Sequence, residues 1–218
     1  MKETTLITGY YGSGKSEFAI NLALALNSEG KDIILADLDI INPYFRSVEA
    51  KQQLTSLGIE VVSTSFEGQM DLPAVPGKVF SLFTEEGKHK IIDLGGDEEG
   101  ARMLGYLKEE VMENEFDFWY CLNYNRSETS TIEKALAILK RIEESSKQKI
   151  TGIVNTTHLM QYTTKEDILA GAEFARQVSQ FSDIPLIYHV VEESLASSVS
   201  ELEKLFVIKI HLKKPWEE

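Results

Sequence analysis

Residues 9–16 read Gly9-Tyr10-Tyr11-Gly12-Ser13-Gly14-Lys15-Ser16, between the apolar run Thr5-Leu6-Ile7-Thr8 and a helix-forming segment that continues to Leu26. Every fixed position of the pattern G-x-x-x-x-G-K-[ST] is filled, and this pattern works only on a turn that joins a strand to a helix. Glycines at positions 9, 12 and 14 let the backbone curl and approach an anion with no Cβ in the way. Lys15 supplies a mobile cation for the β and γ charges of a triphosphate, and Ser16 a hydroxyl for magnesium. The helix that follows aims its first amides and its dipole at the same anion. The motif therefore predicts a nucleotide site made by Gly9, Tyr11, Gly12, Ser13, Gly14, Lys15, Ser16 and Glu17, with Lys15 also acting on the reacting phosphate. An accidental glycine-rich turn is the alternative, and the flanking strand and helix argue against it.

The chain has 218 residues, 43% of them hydrophobic, which suits one well-buried α/β domain spanning residues 1–218. The first residues already form a strand, leaving no room for a leader, and no apolar run reaches membrane-spanning length. A cytoplasmic protein with no membrane partner is expected. Cys121 is the only cysteine and sits in the apolar run Phe118-Trp119-Tyr120-Cys121-Leu122, so it reads as a core residue. His89, His158, His189 and His211 show no ligand spacing. The net charge of −13 is spread along the chain and repels nucleic acid and anionic lipid.

Strand-like runs recur at Asp32 to Asp37, Ile59 to Ser63, His89 to Asp93, Phe116 to Leu122, Ile150 to Asn155, Pro185 to Val191 and Leu205 to His211. Most are continuously apolar, as expected of strands covered on both faces of a parallel sheet. Helices are predicted at Val48 to Leu57, Val79 to Glu86, Glu128 to Glu144, Lys165 to Phe181 and Glu192 to Lys204. Gly30, Gly58 and Gly87 read as helix stops. Ser65 to Lys78, with two prolines and two glycines, reads as a surface loop. The β-α repetition predicts three layers, helix on sheet on helix, with a mostly parallel sheet. The strand before Gly9 should be central and the one ending in Asp93 beside it; Leu205 to His211 should be an edge strand that could run antiparallel.

Two strand ends carry carboxylates. Ile33-Ile34-Leu35-Ala36 leads into Asp37-Leu38-Asp39, and Ile91-Ile92 leads into Asp93-Leu94-Gly95-Gly96. Ligands of open α/β sheets sit at such carboxyl ends. Asp93 suits the magnesium shell shared with Ser16, and Gly96 suits an N–H that senses a γ-phosphate. Asp37 and Asp39 point to the same side of an extended segment, so either could serve the metal or the attacking water. Our assignment gives Asp37 to the metal with Ser16 and Asp93, and Asp39 to catalysis. Taken singly, each aspartate could equally cap the turn after its strand.

These features resemble the nucleotide-binding domain shared by the MinD/ParA partition ATPases and the cobyrinic acid and dethiobiotin synthases. The resemblance rests on Gly9 to Ser16, Asp37-Leu38-Asp39 and Asp93-Leu94-Gly95-Gly96, and it runs along essentially the whole chain. Bacterial ATP-binding proteins with a similar loop also carry stretches like Asp37 to Ser47 and Gly95 to Arg102 here. The resemblance implies a P-loop NTPase fold, ATP, magnesium and adenine recognition by an asparagine after a later strand. Asn155 matches that place, a simple turn asparagine being the alternative. One departure stands out: the MinD/ParA loop carries a second lysine after its first glycine, which reaches a partner's phosphates, and Tyr10 stands there instead. A phenol brings no positive charge. Arg46, Arg102 and Arg126 are candidates to replace it, or are surface arginines.

The expected function is a magnesium-dependent switch ATPase that hydrolyses ATP to ADP, as monomer or homodimer, acting with a protein partner that the sequence does not identify. The alternatives are phosphoryl or amide-forming transfer to a small-molecule acceptor, or a nucleotide-binding scaffold with little turnover. An arginine-bearing lid of the kind small kinases use has no counterpart among the five scattered arginines.

Overall fold

The computed structural model describes residues 1–38, 48–63, 85–96, 100, 104 and 115–211. Eight strands form one sheet: β1 (Thr4–Thr8), β2 (Ile33–Asp37), β3 (Glu60–Ser63), β4 (His89–Asp93), β5 (Phe116–Leu122), β6 (Gly152–Asn155), β7 (Leu186–Glu192) and β8 (Leu205–Ile208). Their order is β3-β2-β4-β1-β5-β6-β7-β8, and every pairing is parallel. β1 lies between β4 and β5, as the apolar run before Gly9 predicts. β8 is indeed an edge strand, but it runs parallel to β7, so the antiparallel option is not taken.

The helices are α1 (Lys15–Ser28), α2 (Val48–Ser56), α3 (Ile132–Ser146), α4 (Lys165–Ser182) and the single turn α5 (Glu193–Ala196). Continuous apolar strands have two faces to bury, and alternate residues divide between them. Ile7, Leu35, Ile91, Trp119 and Cys121 pack with Phe18, Ile20, Leu22 and Leu26 of α1 and Leu54 of α2. Leu6, Ile34, Ile92, Phe118 and Tyr120 pack on the other side with Ile138, Leu139 and Ile142 of α3 and Phe174, Ala175 and Val178 of α4. This is the three-layer α/β arrangement expected from the β-α rhythm.

Differences from the expected elements have local causes. α3 begins at Ile132 rather than Glu128 because Thr131, extended at φ −131°, accepts from the Lys134 N–H and caps the helix. The segment after β7 does not sustain a helix to Lys204: after α5 come a 3-10 turn, Ser197–Val199, and further turns. Its serines bond the local backbone, as Ser198 Oγ does to the Leu195 carbonyl at 2.7 Å, which competes with helical bonding. Gly30, Gly58 and Gly87 all take positive φ where helices or turns must stop. The expected loop Ser65 to Lys78 and most of the helix Val79 to Glu86 lie outside the described residues; Glu85 and Glu86 themselves are not helical.

Candidate functional site

The turn between β1 and α1 is held from below and from both sides. Gly12 and Gly14 adopt φ of 70° and 88°, a region L side chains avoid, and Gly14 is the residue before α1, so its conformation sets the entry angle of the helix. Gly9 rests on β5, where an added Cβ would lie 2.6 Å from the Cys121 carbonyl oxygen. Lys15 and Ser16 occupy the first turn of α1 and are buried, although both border a cavity. Ser13 is buried with its hydroxyl unpartnered among the described residues.

The two strand-end carboxylates lie side by side. Asp37 and Asp93 are paired in register on β2 and β4 and both are buried. The Ser16 hydroxyl donates to Asp93 Oδ2 at 2.5 Å, so the loop and the β4 carboxylate meet as expected. Backbone bonds from Leu38 N to the Asp93 carbonyl and from Leu94 N to the Ile7 carbonyl, 2.9 Å each, extend the register past the strand ends. Gly96 presses on the start of the loop so closely that a Cβ there would stand 1.7 Å from the Gly9 carbonyl oxygen. Hydroxyl and carboxylate oxygens are the hard donors that magnesium takes together with waters and phosphate oxygens, so Ser16, Asp93 and Asp37 fit that ion. Asp39, with Arg46 and Arg102, lies outside the described residues.

A cavity of about 560 Å³ opens from this loop. Gly12, Gly14, Lys15, Ser16 and Glu17 line it together with the apolar Ile168, Val190, Val191, Leu195 and Ile208. Thr156, Thr157 and His158, just past β6, also line it. Such a volume, with an apolar lining and a few polar groups, is typical of a small-molecule site. Glu17 is partly tied to the sheet, its Oε1 accepting from the His211 N–H at 2.8 Å.

Asn155 sits at the expected strand end but does not line the cavity. Its amide Nδ2 lies 3.0 Å from His189 Nδ1, and its Oδ1 accepts from the Thr157 hydroxyl at 2.7 Å and the Thr157 N–H at 3.2 Å. The carboxamide is thus turned into the sheet, where buried donors and acceptors must be satisfied. Burial, with Arg176 and Lys204 at longer range, lowers the His189 pKa from its usual value to about 4. A neutral ring accepts at Nδ1 from the asparagine amide. The tyrosines of the loop also part company: Tyr10 packs against the core, whereas Tyr11 is 64% exposed.

Sequence reasoning missed the apolar lining of the cavity. Strands β7 and β8 bring Val190, Val191, Glu192 and Ile208 to the carboxyl edge of the sheet, and the strand-end rule that located Asp37 and Asp93 applies to them too. Among the described residues no helix is long and apolar enough to cross a membrane.

In sequence, the chain matches no protein-family model and no curated protein. In structure, it is similar to the cell division protein FtsY of Thermotoga maritima, with TM-score 0.56 and 19% identity, covering 85% of this chain and 60% of that one. It is similar to chloroplast FtsY of Physcomitrella patens, with TM-score 0.60 and 17% identity, covering 86% and 58%. It is also similar to FlhF, solved in complex with GTP and Mg2+, with TM-score 0.54 and 17% identity, covering 85% and 64%. The chain therefore spans 58% to 64% of the lengths of these proteins. At this identity the likeness is one of fold, and the fold is that of the P-loop NTPases.

Proposed function

We propose that the chain is a magnesium-dependent nucleoside triphosphatase that binds ATP and uses its hydrolysis as a switch, through a single nucleotide-binding domain. The observation that carries this reading is the 2.5 Å hydrogen bond from Ser16 to Asp93, made by a phosphate-loop motif whose Lys15 and Ser16 line the 560 Å³ cavity. Loop amides and Lys15 hold the phosphates. Ser16, Asp93 and Asp37 would hold the magnesium, which would supply positive charge against the β- and γ-phosphates. Asp39 orients the attacking water. Water adds to the γ-phosphorus as the bond to the β–γ bridging oxygen breaks, giving ADP and inorganic phosphate and releasing a proton to solvent. Gly96 follows Asp93 closely enough to report the γ-phosphate to the segment beyond it.

The apolar lining of the cavity would take the base. Asn155 then serves from beneath, holding Thr157 and His189 in place rather than touching adenine. The resemblance to MinD/ParA and synthase domains supports ATP, while the GTP of the FlhF complex favours guanine as the second reading.

Titration calorimetry with magnesium and ATP, GTP or ADP tests both. Lys15→Ala removes a charge-assisted contact of about 1.5 to 3 kcal/mol, so ATP should bind roughly tenfold to a hundredfold more weakly. Phosphate release should vanish in Asp39→Ala with binding retained, and Asp93→Ala should lose the magnesium dependence of binding. Unchanged ATP affinity in Lys15→Ala would remove the loop as the site; tighter binding of GTP than of ATP would replace the base assignment.

A further inference from the structure

Among the described residues, Lys15 and Arg126 are the two permanent cations that border the cavity. Arg126 follows β5, and its Nε–H donates to the Gly12 carbonyl at 2.8 Å. That bond lays the guanidinium over the loop: a Cβ at Gly12 would come within 2.9 Å of Arg126 Cζ and Nη2. Only Nε is engaged. The Nη1 and Nη2 groups make no hydrogen bond or ion pair among the described residues, which leaves four of the five N–H donors of a guanidinium to offer.

The backbone beneath is pinned. The Arg126 N–H donates to the Asn123 carbonyl at 3.3 Å and the Arg126 carbonyl accepts from Thr129 N at 3.0 Å. Thr129 Oγ1 donates to the same Asn123 carbonyl at 2.5 Å. Asn123 Oδ1 accepts from Asn125 N at 2.9 Å and from His158 N at 3.3 Å, tying this loop to the one after β6. An arginine on so fixed a base loses little freedom when it grips a second group, and its planar fork matches phosphate oxygens.

We propose that Arg126 is a phosphate-binding residue acting in cis: it keeps Nε on Gly12 and offers its Nη donors to the polyphosphate of the bound nucleotide. The site thereby draws its second cation from its own chain, where Tyr10 brings none. The proposal rests on the nucleotide reading above. It has two consequences: the triphosphate loses affinity when the fork is removed, and turnover per molecule does not depend on a partner subunit.

The test compares wild type, Arg126→Gln and Arg126→Lys, each first checked for a cooperative thermal transition. In calorimetry with magnesium-ATP, Arg126→Gln should bind roughly tenfold to a hundredfold more weakly, and Arg126→Lys, which keeps charge but not the fork, should fall between. Adenosine, read as a competitor, should bind all three alike. Specific phosphate release by wild type should stay constant on about hundredfold dilution of the protein. Wild-type ATP affinity in Arg126→Gln, equal losses for ATP and adenosine, or specific activity that collapses on dilution would each overturn the proposal. If Arg126→Gln does not fold, Arg126→Lys decides: affinity equal to wild type overturns the fork. Retained wild-type binding that Lys15→Ala weakens shows that the site itself stands in any of those cases, whereas a wild type that binds no nucleotide removes site and proposal together.

Discussion

Gly96 shows how little room a single atom can have. A Cβ there would stand 1.7 Å from the Gly9 carbonyl oxygen and 3.0 Å from Tyr10 N, and backbone on both sides leaves no flexible side chain to give way. Gly96→Ala must therefore push the phosphate loop and the β4 extension apart. We expect a loss of roughly 1 to 3 kcal/mol of stability, the usual range for overpacking, with nucleotide affinity lost alongside. Urea unfolding checks the first effect and calorimetry the second. Gly30, with nothing within 4 Å of its added Cβ, is the contrast: Gly30→Ala there meets only the strain of φ 82°. At this scale Lys15, Ser16, Asp37, Asp93 and Gly96 could be picked out by motif and strand-end position, and the structure brings them together. Arg126 is one of three arginines named without a motif, since what aims it is an Asn123–Thr129 turn rather than a spacing, and Asn155 stands at the expected strand end with its amide bonded to His189 and Thr157 and not lining the cavity.

Elements were legible where their signals are local. The strands His89–Asp93 and Phe116–Leu122 match their expected bounds: the apolar cores Ile91-Ile92 and Phe118 to Leu122, rich in β-branched or aromatic residues and too short for a helix, leave few alternatives. α4 likewise starts at Lys165, where Thr164 and Asp167 form a reciprocal capping box. Thr164→Ala breaks that box, removing the acceptor for Asp167 N, and should cost about 1 kcal/mol, read as a lower urea midpoint with unchanged slope. Nucleotide affinity should persist, since the cap lies at the helix terminus and Ile168 alone of its first turn borders the cavity. The segment after β7 misled because glutamates, leucine and alanine favour a helix there, while serine hydroxyls and the short span to β8 settle it as turns. The direction of β8 depended on how the chain returns to the sheet edge, which composition does not encode.

For the whole molecule, burial of neutral imidazole couples folding to acidity. The His189 pKa falls to about 4 in the folded protein from an ordinary value of 6.5, so the unfolded chain binds the extra proton between those values. Stability from this group is complete above pH 6.5 and drains away as pH falls toward 4, by about 3 kcal/mol over that window. His89 and His211, also lowered by burial, act in the same direction. Denaturation at stepped pH should show the decline, and His189→Gln, which cannot charge, should flatten part of it; an unchanged slope would assign the effect elsewhere. One further property follows from Cys121, the sole thiol of the chain. It is fully buried under Gly9, and burial raises its pKa, which suppresses the reactive thiolate. A thiol reagent can therefore reach it only when β5 and the floor of the phosphate loop come apart, so the labelling rate clocks that local opening. Ligand that seats on the loop should slow the clock in proportion to its occupancy, turning an inert core atom into a native gauge of binding that needs no mutation and no turnover.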